Sequence, residues 1–271
     1  MGFLDTEFNG YLLHCRVFGH GPHALLAFHG FGQQGDIYRV FEEDLKEKYT
    51  VYSFDQFHHG LSRYPPNKRK SAPFSPQNWR GLLQKFLETN GISTFSVMGY
   101  SLGGKTALAT VEMFPDCIER IYLLAPDGVV ESGWYRFVSR NRAGELMYKS
   151  MIRKPDFLFS LMKGMSRVGM VSEKEVKFAT ENLNTVQKRK LVYYTWRSYA
   201  LLRPHLRTVK EIINARKIQA FIITGRYDTV LNPRIGDLFV ANLHAGCRHI
   251  SIPAGHDLIR QKTRDVMKPL W

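Results

Sequence analysis

The stretch Phe95-Ser96-Val97-Met98-Gly99-Tyr100-Ser101-Leu102-Gly103-Gly104 decides the fold. Its first half is a short apolar run of the kind that suits a strand buried on both faces of a parallel sheet. Its second half opens a helical stretch, Leu102–Phe114, which Pro115 stops. Between the two lies a G-x-S-x-G pattern, Gly99 to Gly103, with a serine on a strand-to-helix turn. A serine hydroxyl is a poor nucleophile at neutral pH. It needs an exposed position, a nearby base and N–H donors for the oxyanion that forms when it attacks a carbonyl. Glycines on either side permit the sharp turn, because a Cβ there would meet neighbouring backbone. The helix N-terminus behind Ser101 also favours developing negative charge.

Outward from this turn the same rhythm recurs. Ala24–Phe28, Val51–Phe54, Ile121–Ala125 and Ala220–Thr224 are further short apolar runs. Ser75-Pro76 forms an N-cap and first-turn pair for a helix reaching about Asn90. Phe3–Phe8 and Tyr11–Phe18 read as strands joined by Asn9-Gly10, a favoured two-residue hairpin turn. Alternating strands and helices predict an α/β fold: a mostly parallel central sheet, helices on both faces and an N-terminal β-hairpin. The rhythm breaks between Glu131 and Lys217, a helical stretch rich in Met and aromatic residues, and resumes at Ile218. The expected organisation is a core of residues 1–130 and 218–271 with a helical cap, 131–217, inserted before the last strands. The Pro65–Pro76 stretch, around Lys68-Arg69-Lys70, reads as a surface loop.

A base and an orienting acid are then required, and in a fold of this kind they follow the serine in the order acid, then histidine. Asp228 lies in Gly225-Arg226-Tyr227-Asp228, just past the run Ala220–Thr224. His256 lies in Ala254-Gly255-His256, just past the strand-like His249–Ile252. Both stand where loops leave the carboxyl ends of strands, which is where open α/β sheets build sites. Ser101, Asp228 and His256 are therefore the expected catalytic set, with Asp127, after Ile121–Ala125, as the alternative acid. His29-Gly30-Phe31-Gly32 follows the run Ala24–Phe28, so the backbone N–H groups of Phe31 and Leu102 are the expected oxyanion donors. His29, Tyr100 and Lys105 are candidates for the substrate pocket. No metal and no cofactor is expected.

These motifs carry a resemblance. With Phe54-Asp55-Gln56-Phe57-His58-His59-Gly60-Leu61-Ser62 added, they span nearly the whole chain, which resembles the cap-bearing single-domain members of the α/β-hydrolase superfamily. The resemblance implies a serine hydrolase of the esterase or thioesterase type, cleaving its substrate through an acyl-enzyme. An alternative within the same fold is a carbon–carbon bond hydrolase or a lyase like that of menaquinone synthesis; a less favoured one is a non-catalytic or nucleic-acid-binding protein, against which the intact Ser, Asp and His set counts. Serine at position 101 argues against the aspartate-nucleophile dehalogenases and epoxide hydrolases. The motif at 54–62 departs from the common D-x-x-G-x-G-x-S, with Phe57 and His58 in place of the usual arginine and glycine.

Length and composition bound the remainder. At 271 residues the chain is one large domain or a domain with an insert. With 44% hydrophobic and 23% charged residues it is neither disordered nor fibrous. No apolar run reaches membrane-spanning length. Cys15, Cys117 and Cys247 are odd in number and form no C-x-x-C pattern, which argues against a disulfide framework or a zinc site. Together with the lack of a basic-then-apolar leader, they point to a cytoplasmic protein. Met1–Thr6 fits the loose myristoylation pattern, which occurs often by chance.

The net charge of +14 is concentrated in the insert. Residues 131–217 hold 19 Lys or Arg against 7 Asp or Glu, or +12, and leave +2 for the remainder. This charge either solvates the surface of the helices or attracts a partner to them: the expected small ester or thioester substrate in anionic or carrier-bound form, or an anionic membrane in peripheral contact. Nucleic acid is not expected, since no zinc-finger spacing or RNA-binding aromatic motif accompanies the charge. Oligomeric state is not legible.

Overall fold

The computed structural model describes residues 2–171, 173, 176–177, 180 and 183–271. Met1 of the myristoylation pattern and residues 172, 174–175, 178–179 and 181–182 of the expected insert lie outside the described residues.

An eight-stranded sheet organises the larger part of the chain. Its strands are β1 (Gly2–Phe8), β2 (Tyr11–Phe18), β3 (His23–Phe28), β4 (Tyr49–Phe54), β5 (Phe95–Tyr100), β6 (Ile118–Leu124), β7 (Gln219–Gly225) and β8 (Arg248–Ile252). Their spatial order is β1-β2-β4-β3-β5-β6-β7-β8. β1 and β2 form the expected antiparallel hairpin, with Phe8 opposite Tyr11 across Asn9-Gly10. β2 also pairs antiparallel with β4, and every pairing beyond that is parallel. All six residues of β5 are buried, as the unbroken apolar run requires of a strand covered on both faces.

Two helices follow from local chemistry. α1 (Pro76–Thr89) begins where the Ser75 side chain accepts a hydrogen bond from the Asn78 amide, with proline at the first helical position. Trp79, Leu82, Leu83 and Phe86 of α1 are buried. α2 (Leu102–Met113) is buried along most of its length. It packs so tightly that a Cβ on Gly103 would overlap the Phe28 carbonyl oxygen at the end of β3.

The chain divides into two compact units. The first comprises residues 1–67, 75–130 and 202–271 and contains the sheet. The second comprises residues 68–74 and 131–201. Its helices include α3 (Gly133–Arg140), α4 (Arg142–Arg153), α5 (Pro155–Arg167) and α6 (Val186–Ser198). The division differs from the expected one at two places. Helix α7 (Leu206–Arg216) packs on α2 and so goes with the sheet rather than with the insert. Residues 68–74, read as part of a surface loop, belong to the helical unit: the Phe74 amide donates to Ser198 O at 2.7 Å, and the Ser198 hydroxyl donates to Lys70 O at 3.1 Å. The helical unit thereby holds 17 Lys or Arg against 6 Asp or Glu, net +11.

No helix among the described residues is long and apolar enough to cross a membrane.

Gly103→Ala is expected to cost roughly 3 kcal/mol of stability, since backbone rather than a flexible side chain must give way. Gly164→Ala, on α5 with open space around the added methyl, is expected to gain about 0.5–1 kcal/mol. Urea unfolding midpoints of the two variants check both.

Candidate active site

Ser101 sits between β5 and α2 at φ 50° and ψ −118°. Three backbone hydrogen bonds hold it there. Its amide donates to Leu124 O at 3.0 Å, and its carbonyl accepts from the amides of Gly104 and Asp127, both at 2.8 Å. A Cβ on Gly99 would lie 2.5 Å from the Gly103 carbonyl oxygen, which shows why this turn takes glycines.

The Ser101 hydroxyl donates to His256 Nε2 at 2.9 Å. His256 Nδ1 lies 2.8 Å from Asp228 Oδ2. A carboxylate only accepts, so Nδ1 carries the proton and Nε2 is left as the acceptor. Asp228 is 4% exposed, and its other oxygen accepts from the Val230 and Leu231 amides at 2.7 and 2.9 Å. These bonds lock the carboxylate in the turn after β7 and aim one oxygen at the imidazole. Both nitrogens of His256 are therefore committed. The carboxylate that meets it is Asp228 and not the alternative, Asp127, whose own Oδ1 accepts from the Gly128 amide at 2.8 Å.

Tyr100 adds a further tie. Its hydroxyl donates to the His256 carbonyl at 3.1 Å, and its ring lies 5.5 Å from the imidazole. Burial pushes this phenol well above its ordinary range, so it remains a donor at every physiological pH. Tyr100 thus positions the loop that carries His256.

The loop after β3 holds its amides in different states. The Gly30 amide donates to Gln33 Oε1 at 3.0 Å and the Gly32 amide to His59 Nε2 at 3.0 Å. The Phe31 and Leu102 amides have no acceptor among the described residues. At Leu102 this is the ordinary state of the first residue of a helix. These two are the pair named as oxyanion donors from the sequence.

His29 is not a pocket residue; that expectation is corrected by its burial. It is 0% exposed, and both ring nitrogens are engaged. Nδ1 donates to Gly30 O at 2.7 Å, while Nε2 accepts from the Gln56 amide at 2.9 Å. Gln56 in turn accepts from the Thr106 hydroxyl of α2 at 2.6 Å. His29 therefore fastens the β3 loop to the β4 loop. Burial, followed by the field of His59, pushes its pKa down to about 3, so the ring stays neutral. Lys105, on α2, is 3% exposed and not on the solvated face of its helix.

The departing motif at 54–62 has a structural use. His59, 5% exposed, donates from Nδ1 to Phe57 O at 3.1 Å and accepts the Gly32 amide at Nε2. It shapes the loop beside Phe31, and burial lowers its pKa as well. Asp55 accepts from the Gly35 and Leu61 amides at 2.7 and 2.9 Å and pairs with Arg16. Burial alone would raise this carboxyl, but the two N–H bonds and the guanidinium outweigh it and hold it below the usual range.

The sequence profile of the alpha/beta hydrolase fold matches residues 23–259. A thermophilic esterase from Thermogutta terrifontis superposes over 100% of this chain and 98% of its own, with a TM-score of 0.68 and 16% identity. The meta-cleavage product hydrolase of Pseudomonas fluorescens covers 98% and 95%, with a TM-score of 0.64 and 17% identity. Among curated relatives, an uncharacterized protein of Mycobacterium tuberculosis is 28% identical over 123 residues, 45% of this chain and 34% of that protein. The chain thus aligns with about a third of that relative's length.

Neutral His29 makes the fold acid-sensitive. The unfolded chain takes up a proton near pH 6.5 that the folded ring refuses until about pH 3. This contribution is complete above pH 6.5 and is lost as pH falls toward 3. His29→Gln, which keeps a donor and an acceptor, is expected to flatten the dependence of the urea midpoint on pH between 7 and 4. An unchanged slope refutes this account.

Proposed function

Because the chain belongs to the α/β-hydrolase fold family, which matches it over residues 23–259, we propose that it is a serine hydrolase cleaving a carboxylic ester or thioester. The observation that carries this reading is the continuous relay from the Ser101 hydroxyl through His256 to Asp228, at 2.9 and 2.8 Å, beside two amides without acceptors among the described residues.

His256 Nε2 takes the Ser101 proton as Oγ attacks the substrate carbonyl. Asp228 keeps the imidazole in the Nδ1–H tautomer and stabilises the imidazolium that forms. The Phe31 and Leu102 amides hold the tetrahedral oxyanion; one such donor supplies about 3–4 kcal/mol of transition-state stabilisation. His256 then hands its proton to the leaving alcohol or thiol, and an acyl-enzyme remains on Ser101. Water, deprotonated by His256, attacks that acyl group, and the proton returns to Ser101 as the acid departs. No step needs a metal or an organic cofactor. The second reading is carbon–carbon cleavage or elimination. It draws on Lys105, a buried cation four residues after Ser101, as a partner for a substrate carboxylate.

A fluorophosphonate probe is expected to label the wild type and leave Ser101→Ala unlabelled; equal labelling of both overturns the nucleophile. With nitrophenyl esters of graded chain length, Asp228→Asn is expected to lower kcat by ~10³–10⁴ with KM little changed. Asp127→Asn should lose less than about tenfold, because His256 keeps its orienting partner. A labelled serine without any ester turnover favours the second reading.

A further inference from the structure

We propose that the helical unit binds a small, multiply phosphorylated solute in a basic concavity of its own. The concavity has a volume of about 840 Å³. Arg69 and Lys70 enter it from the 68–74 segment, Lys149, Arg153 and Lys154 from the end of α4, and Lys190 from α6. No Asp or Glu lines it among the described residues. Lys149 is neutralised by Glu145 at 2.6 Å. The other five cations form no ion pair among the described residues.

Three separate stretches of chain thus bring like charges to one place, although like charges repel and cost stability when gathered. The gathering is built in. Hydrogen bonds between Ser198 and residues 70 and 74 hold the 68–74 segment in the helical unit. Arg189, 3% exposed, donates to Ile152 O and Leu183 O, which fixes the end of α4 beside α6. An anion with several charges in a small volume offsets this repulsion, and phosphate oxygens suit both ammonium and guanidinium donors. The volume lies within the range of pockets that take molecules of nucleotide size. A concave lining, in place of a flat basic face, selects a solute over a membrane plane.

This inference goes beyond the hydrolase reading and does not depend on it, so Ser101→Ala is expected to bind as the wild type does. The test is calorimetric titration of the full chain with inorganic pyrophosphate and with ADP at 0.15 M salt. One saturable site is expected, weakened at least tenfold in Arg69→Ser/Lys190→Ser and unchanged in Lys163→Ser, with circular dichroism confirming that each variant folds. Affinity should fall as salt rises, as for any exposed ionic contact. Vesicles of anionic phospholipid and a short duplex DNA are the comparison arms. The proposal is overturned if neither small probe saturates a site, if Arg69→Ser/Lys190→Ser binds like wild type, or if only vesicles or DNA bind.

Discussion

A serine at φ 50° and ψ −118° is backbone that L-residues avoid, at a cost on the order of 1–3 kcal/mol. Such a residue persists only where its surroundings over-determine it. Here the β6 terminus supplies an acceptor for the Ser101 amide, and the loop beyond β6 supplies the Asp127 amide to its carbonyl. The Gly104 amide of α2 closes the same carbonyl from the helix side. Strand, helix and neighbouring loop therefore share one constraint. The burial of β5 and the close approach of α2 to the end of β3 at Gly103 are what make it rigid enough to hold.

From that turn the rest of the site is a consequence of parallel strand order. β5, β6, β7 and β8 run side by side in the same direction, so their carboxyl ends open on one edge of the sheet. Asp228 and His256 leave the sheet from β7 and β8, and a separation of 28 residues in sequence becomes 2.8 Å in space. β6 lies between the nucleophile strand and the acid strand. Its own following residues are drawn into holding Ser101 through the Asp127 amide, and this gives Asp127 a backbone task at the site.

The elements legible in the sequence are those whose cause is local. Asn9-Gly10 forces the hairpin, Ser75-Pro76 starts α1, and the apolar run before Gly99 makes β5. The order of serine, acid and histidine could also be read, because each stands one turn past a strand. What could not be read depends on partners distant in sequence. Leu206–Arg216 looks like any amphipathic helix, and only its packing on α2 assigns it to the sheet-bearing unit. Residues 68–74 look like a charged loop until Phe74, which is 0% exposed, is seen bonded to Ser198. His29 reads as a pocket candidate or a loop-ordering residue and His59 as a loop-shaping one, but the bonding partners of neither are legible. Their second partners, Gln56 and Gly32, are 27 residues away, and these contacts turn each ring into a fixed, neutral loop brace.

The basic excess shows the same limit in another form. A count of +11 in the helical unit treats all cations alike, but the structure divides them by chemistry. Arg140 donates to Ala200 O at 3.1 Å and pairs with Glu131. Arg197 donates to Ser139 O at 2.6 Å and pairs with Glu145 at 3.1 Å, and Arg189 serves two carbonyls at 3.2 and 2.7 Å. A planar guanidinium can satisfy several carbonyls at once and remain charged while buried, which a flexible ammonium does less well. These three arginines therefore act as cross-braces between helices. Removing any one would leave buried carbonyls without donors, at about 1–3 kcal/mol for each group left unsatisfied. Apart from Lys149, the cations around the concavity make no ion pair with a carboxylate among the described residues, so their charge is left for whatever enters it.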